Sequence, residues 1–86
     1  MLMAQIPVMV YTLSTCSHCK STKRMLDKCN VEYEFEDVDL LKGEERKSVV
    51  DDVKRHNPNL SFPTIIIGDT VIVGFKEDEI KEALGL

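Results

Sequence analysis

Eighty-six residues, 43% of them hydrophobic and with no low-complexity run, are expected to form one domain over 1–86, near the lower size limit for unaided folding. The formal net charge of −4, with lysines scattered among the acids, argues against nucleic acid as a partner, because phosphate recognition needs a basic face. The apolar start "MLMAQIPVMVY" has no basic leader and is too short to span a bilayer, so it is read as a strand and no membrane partner is expected.

Within that start, "VMVY", Val8 to Tyr11, is a continuous run of β-formers, which predicts a strand covered on both faces. From Cys19 onward Thr22, Met25, Leu26 and Cys29 recur at helical spacing and Asn30 is a plausible stop. On that helix Cys29 is expected to be a small buried apolar side chain. "VEYEFEDVDL" alternates, with Val31, Tyr33, Phe35 and Val38 on one side and acids on the other, which is the period of a strand. In "KGEERKSVVDDVKRHN", Val49, Val50 and Val53 form a narrow apolar stripe on a charged helix. "NPNLSFPT" is a proline-punctuated loop that leads into "TIIIGDTVIV", where two β-branched runs around Gly68-Asp69 predict a hairpin. Gly74 then precedes "FKEDEIKEALGL", a helix with Ile80, Ala83 and Leu84 on one face and Glu77, Asp78 and Glu79 in the first turn, where the helix dipole favours anions. The order β-α-β-α-β-β-α predicts an α/β fold. Its four-stranded mixed sheet opens with a parallel right-handed crossover, closes with an antiparallel hairpin and carries three covering helices.

"TCSHC" puts Cys16 and Cys19 in the turn after the first strand, at the start of the first helix. A zinc site needs about four ligands. Only Cys29, His18 and His56 remain, without a second short-spaced pair, so no metal site is expected. A structural staple is equally unattractive, because so short a loop removes little chain entropy and three cysteines are an odd count for a disulfide framework. Redox chemistry fits best. Helix-terminal N–H groups and the dipole favour a thiolate at Cys16, the nucleophile, and Cys19 lies close enough to resolve a mixed disulfide. Lys20 and Lys23 add positive charge nearby. His18 is either a plain exposed side chain or a tuning residue that makes the couple more oxidising. Such thiols suit a reducing compartment, and the cytoplasm is the expected location.

With "VYTLSTCSHC", "SFPT" and "VGFKEDEIKEAL" in place, the chain resembles the glutaredoxins of the thioredoxin superfamily over essentially its whole length. The combination is specific: CxxC after a first strand, then Pro-Thr before a hairpin about forty-five residues later. The resemblance implies a thioredoxin-like, glutaredoxin-type fold and a thiol–disulfide oxidoreductase or electron carrier. The redox centre would be a Cys16–Cys19 disulfide, with no other cofactor bound. It also implies a cis Phe62–Pro63 bond, where sequence alone would favour a trans proline, and a backbone edge there that can pair with an extended substrate. Gly74 and Asp78 are further substrate-binding positions on the same ground. Three departures matter. Leu13 stands where glutaredoxins commonly have a glutathione-binding lysine, Ser17 replaces the usual proline, and Gly74 is followed by Phe75 and Lys76 instead of a second glycine and an acidic pair. Ser17 joins His18 as a tuning position, and "GFKEDEI" looks closer to the NrdH-type redoxins that feed ribonucleotide reductase. Expected partners are disulfide-containing proteins or glutathione, with glutathione or a thioredoxin-reductase-type protein as electron donor, and the chain is expected to be a monomer. The alternative function is a glutathione-dependent [2Fe–2S] carrier, in which Cys16 and glutathione hold a cluster between two protomers.

Overall fold

The structure is a computed structural model that describes residues 6–86; "MLMAQ", the front of the expected first-strand run, lies outside the described residues. Four strands form one sheet: β1 (Val8–Thr12), β2 (Glu34–Asp37), β3 (Thr64–Ile67) and β4 (Thr70–Val73). The helices are α1 (Ser17–Lys28), α2 (Gly43–His56) and α3 (Glu77–Leu84). The sheet order is β2-β1-β3-β4, with β1 and β2 parallel and the other neighbours antiparallel. This is the mixed sheet and element order expected from the sequence. No helix among the described residues is long and apolar enough to cross a membrane.

Period-two alternation divides the sheet into two faces. Val8 and Val10 of β1 pair across β3 with Ile67 and Ile65, and these four form a buried cluster with Met25 and Leu26 of α1, Ile72 of β4 and Ile80 of α3. Helices α1 and α3 therefore cover one face. On the other face Tyr11 feels the charge of Asp52 on α2, whose Val53 is fully buried. The central strands β1 and β3 are covered from both sides, which explains their uninterrupted β-branched and apolar runs.

Two expectations need correction. Only Glu34–Asp37 of the "VEYEFEDVDL" run is strand; Val38–Leu40 turns into a single 3-10 turn. Because β2 is a sheet edge, Phe35 stays 48% exposed, although Val31 and Tyr33 do pack on the core. Cys29 is half-buried rather than buried. It caps the end of α1, where Asn30 adopts a left-handed φ of 56° and ends the helix.

The loop between α2 and β3 is held by one buried amide. Asn57 Nδ2 donates to the Ser61 carbonyl (3.0 Å), the Ser61 Oγ (3.1 Å) and the Thr64 Oγ1 (3.1 Å), and the Thr64 hydroxyl donates to the Ser61 carbonyl at 2.7 Å. This network fixes the chain on both sides of Phe62–Pro63, a cis bond in the structure. Asn57→Ala should destabilise the fold by roughly 1–3 kcal/mol through loss of these bonds, read as a lower urea midpoint at unchanged m-value. An unshifted midpoint would show that the loop is held by other contacts.

Candidate active site

The carboxyl ends of β1 and β2, the start of β3 and the end of β4 lie at one edge of the sheet. From there β1 runs through Leu13-Ser14-Thr15 into Cys16, the N-cap of α1. The cap is a sulfur: Cys16 Sγ accepts the backbone N–H of Cys19 at 3.3 Å, as a serine or aspartate oxygen would in an ordinary helix start. Helix α1 has no acidic residue in its first turn, whereas α2 has Glu44 and Glu45 there and α3 has Glu77, Asp78 and Glu79. The positive end of the α1 dipole is thus left for the sulfur.

The two thiols are pushed in opposite directions. Partial burial alone would raise the Cys16 pKa. The Cys19 thiol and the backbone N–H groups of Cys19 and His18 outweigh it, and the value falls below the usual 9.0. Cys19 is 1% exposed. Burial first, then its hydrogen bond to Cys16 and the charge there, push its pKa up to about 12 against the backbone of Leu13 and the charge of Lys23. One thiol is poised to ionise and accessible, and the other holds its proton out of solvent.

Ser17 and His18 are exposed in the first turn of α1. The His18 carbonyl accepts the Thr22 hydroxyl at 2.9 Å. Phe62 is half-buried and Pro63 buried, and the Pro63 carbonyl accepts the N–H of Gly74 at 2.8 Å. The register places this pair at the cysteine end of the sheet, next to Thr12 and the turn that follows it. Gly74 has a left-handed φ of 92°, which a side chain would strain. Asp78 is exposed in the first turn of α3. Among the described residues, no group of three or more His, Cys, Asp and Glu side chains is arranged to hold a metal.

Sequence reasoning overlooked the polar residues that brace the turn. Thr12 Oγ1 donates to Asp37 Oδ1 at 2.5 Å, and the same oxygen receives Lys23 Nζ at 3.2 Å. Lys23 also lies 3.8 Å above the Phe35 ring. Asp39 takes both the N–H (2.8 Å) and the hydroxyl (2.5 Å) of Ser14, bonds that hold its carboxyl below the usual carboxylate range. The available signal was Asp-x-Asp at the carboxyl end of a strand parallel to the one feeding CxxC, because α/β sheets gather functional groups at that end. A hollow of about 500 Å³, lined by Pro7, Tyr33 and Gly68 among others, sits at the opposite end of the sheet.

A mixed α/β sheet with a CxxC dithiol at a helix start, one thiol acidified and the other buried, defines a thiol redox protein of thioredoxin-like fold. The glutaredoxin family profile matches residues 8–72. Glutaredoxin 1 of Rickettsia prowazekii is 35% identical over 71 residues, covering 83% of this chain and 70% of its own length. The crystal structure of Methanosarcina acetivorans methanoredoxin superposes with a TM-score of 0.91 at 46% identity, over 95% of this chain and 87% of that one. NrdH-redoxin of Escherichia coli, a glutaredoxin-like protein with a thioredoxin-like activity profile, gives a TM-score of 0.71 at 26% identity over 90% and 93% of the two chains. The chain belongs to the glutaredoxin family.

Iodoacetamide should alkylate the reduced protein first at Cys16, with a rate midpoint below pH 9.0, the ordinary thiol value. Peptide mapping should find Cys19 unmodified over the same range. A Cys16 midpoint at or above that value would show that the helix start does not hold a thiolate.

Proposed function

We propose that the protein is a dithiol thiol–disulfide oxidoreductase in which Cys16 attacks and Cys19 resolves. The observation that carries this reading is the sulfur cap of α1, which favours negative charge on Cys16 while burial keeps the proton on Cys19. The Cys16 thiolate attacks one sulfur of a target disulfide. The target S–S bond breaks, a Cys16–target mixed disulfide forms, and the other target sulfur leaves as a thiolate. That step removes the charge on Cys16 that had held up the Cys19 pKa, so Cys19 gives its proton to the departing thiolate more readily. The Cys19 thiolate then attacks Cys16 Sγ, breaking the mixed disulfide, forming the Cys16–Cys19 disulfide and expelling the second target sulfur as a thiolate that takes its proton from water. The target gains two electrons and two protons, and a thiol donor must return the same to the protein.

The backbone at Phe62–Pro63 supplies an edge for an extended substrate, with Gly74, hydrogen-bonded to the Pro63 carbonyl, and Asp78 as further substrate-binding positions and Ser17 and His18 tuning the sulfur. Electrons are proposed to come from a protein donor of thioredoxin-reductase type in preference to glutathione. Leu13 offers no charge for a glutathione carboxylate, Phe75 and Lys76 interrupt the acidic pair, and Lys23 is already engaged by Asp37 and Phe35. The likeness to NrdH-redoxin, whose activity profile is thioredoxin-like, supports the same choice. Such a dithiol fits a monomer in a reducing compartment such as the cytoplasm.

Cys16→Ser should abolish disulfide reduction, and Cys19→Ser should accumulate a mixed disulfide with the target, seen by mass spectrometry. An adduct on Cys16→Ser and none on Cys19→Ser would reverse the two roles. Steady-state rates with each donor test the electron source: a missing charge-assisted contact typically costs about ten- to a hundredfold in affinity. Efficient, saturable turnover with glutathione would refute the donor assignment. His18→Tyr should make the Cys16–Cys19 couple more reducing, by an amount readable on a scale where 30 mV is about 1.4 kcal/mol. An unchanged midpoint potential would remove His18 from the tuning residues.

A further inference from the structure

A groove of about 340 Å³ runs between α1 and α3, outside the cysteine turn. Its apolar floor is Met25, Cys29 and Phe75, and Arg24, Lys28 and Lys81 border it. Lys81 is neutralised by Glu77 at 3.2 Å. Arg24 and Lys28 are exposed, and neither is in an ion pair among the described residues. Along α1 the positions Cys16, Lys20, Arg24 and Lys28 follow at four-residue steps, so the three cations form one row that leads to the sulfur. In a chain of net charge −4, this is a local reversal of sign. At the near end Phe75 adjoins Gly74, which is hydrogen-bonded to the Pro63 carbonyl, so the groove continues the edge proposed for the substrate backbone.

We propose that this groove docks an acidic segment of the protein whose disulfide is being reduced, with one apolar side chain of that segment seated on Met25 and Phe75. The proposal rests on the oxidoreductase reading above and names its partner by charge. Twelve residues of helix separate Cys16 from Lys28, a rise of about 18 Å. An extended peptide covers that in about six residues. The acids therefore lie within about six residues of the reactive cysteine of the target. Two unpaired cations beside an apolar floor give steering and register, and both weaken with salt.

The test uses the full chain, labelled with ¹⁵N, and two synthetic peptides that carry the same disulfide and a central leucine. One peptide has glutamates flanking the leucine and the other lysines. The glutamate peptide should shift the amide signals of Arg24, Lys28, Cys29 and Phe75, and 0.5 M sodium chloride should suppress the shifts. Its kcat/KM for reduction should exceed that of the lysine peptide by on the order of tenfold at low salt. The double variant Arg24→Glu/Lys28→Glu should invert the preference and leave the rate with hydroxyethyl disulfide unchanged. Equal shifts for the two peptides, or an acidic preference that survives the double reversal, would overturn the proposal. Reduction of hydroxyethyl disulfide without peptide preference refutes the groove and leaves the dithiol reading standing. Failure to reduce any disulfide refutes the dithiol reading, and the amide shifts still decide the groove.

Discussion

The structure turns on a hydrogen bond from the Cys19 N–H to the Cys16 sulfur at 3.3 Å. It makes a thiol serve as a helix cap, so the same contact that begins α1 also favours a thiolate at Cys16. A neutral cap would start the helix equally well, but only an ionisable one turns the helix dipole into reactivity. The rest of the fold serves this contact. β1 delivers the turn to the helix start, and Asp39 grips Ser14 two residues upstream. Thr12 ties the end of β1 to Asp37 on β2. Buried hydroxyls here are costly unless paired, and among the described residues no buried side-chain nitrogen or oxygen lacks a partner.

Chemically similar thiols one helical turn apart acquire different acidities because the fold buries one of them. Cys19 points toward the interior of the α1 face, the side that also carries Thr22 and Leu26, while Cys16 stays at the rim. The asymmetry in acidity is positional. Lys23 shows how the surroundings limit it. Its charge acts on Cys19, but its ammonium is tethered to Asp37 and lies over Phe35, so it is spent largely on bracing α1 against β2.

Much of this was legible in the chain itself because the relevant signals are local. Val8 to Tyr11, the hairpin around Gly68-Asp69 and the Val53 stripe declare their periods within a few residues. The CxxC placement followed directly from the strand before it and the helix after it. What escaped depends on contacts between distant residues. Asp37 and Asp39 read as the polar side of a strand, and only their positions opposite Thr12 and Ser14 give them a role. Phe35 has the alternation of a core residue, yet among the described residues β2 has no strand beyond it to cover the ring. Cys29 has helical spacing toward the core, but α1 ends at Lys28 and leaves it at the half-buried cap.

The position of β2 also bears on how the molecule meets copies of itself. An open sheet edge offers unpaired amides that a second strand can join. Here the edge is four residues long, Glu34-Phe35-Glu36-Asp37, with three carboxylates among them. A second copy approaching edge to edge would bring like charges together for a very short ladder of hydrogen bonds. Asp37, which holds Lys23 and Thr12, thus joins Glu34 and Glu36 in discouraging fusion of sheets beside the cysteine turn, a protection against aggregation built into a strand otherwise occupied with bracing that turn.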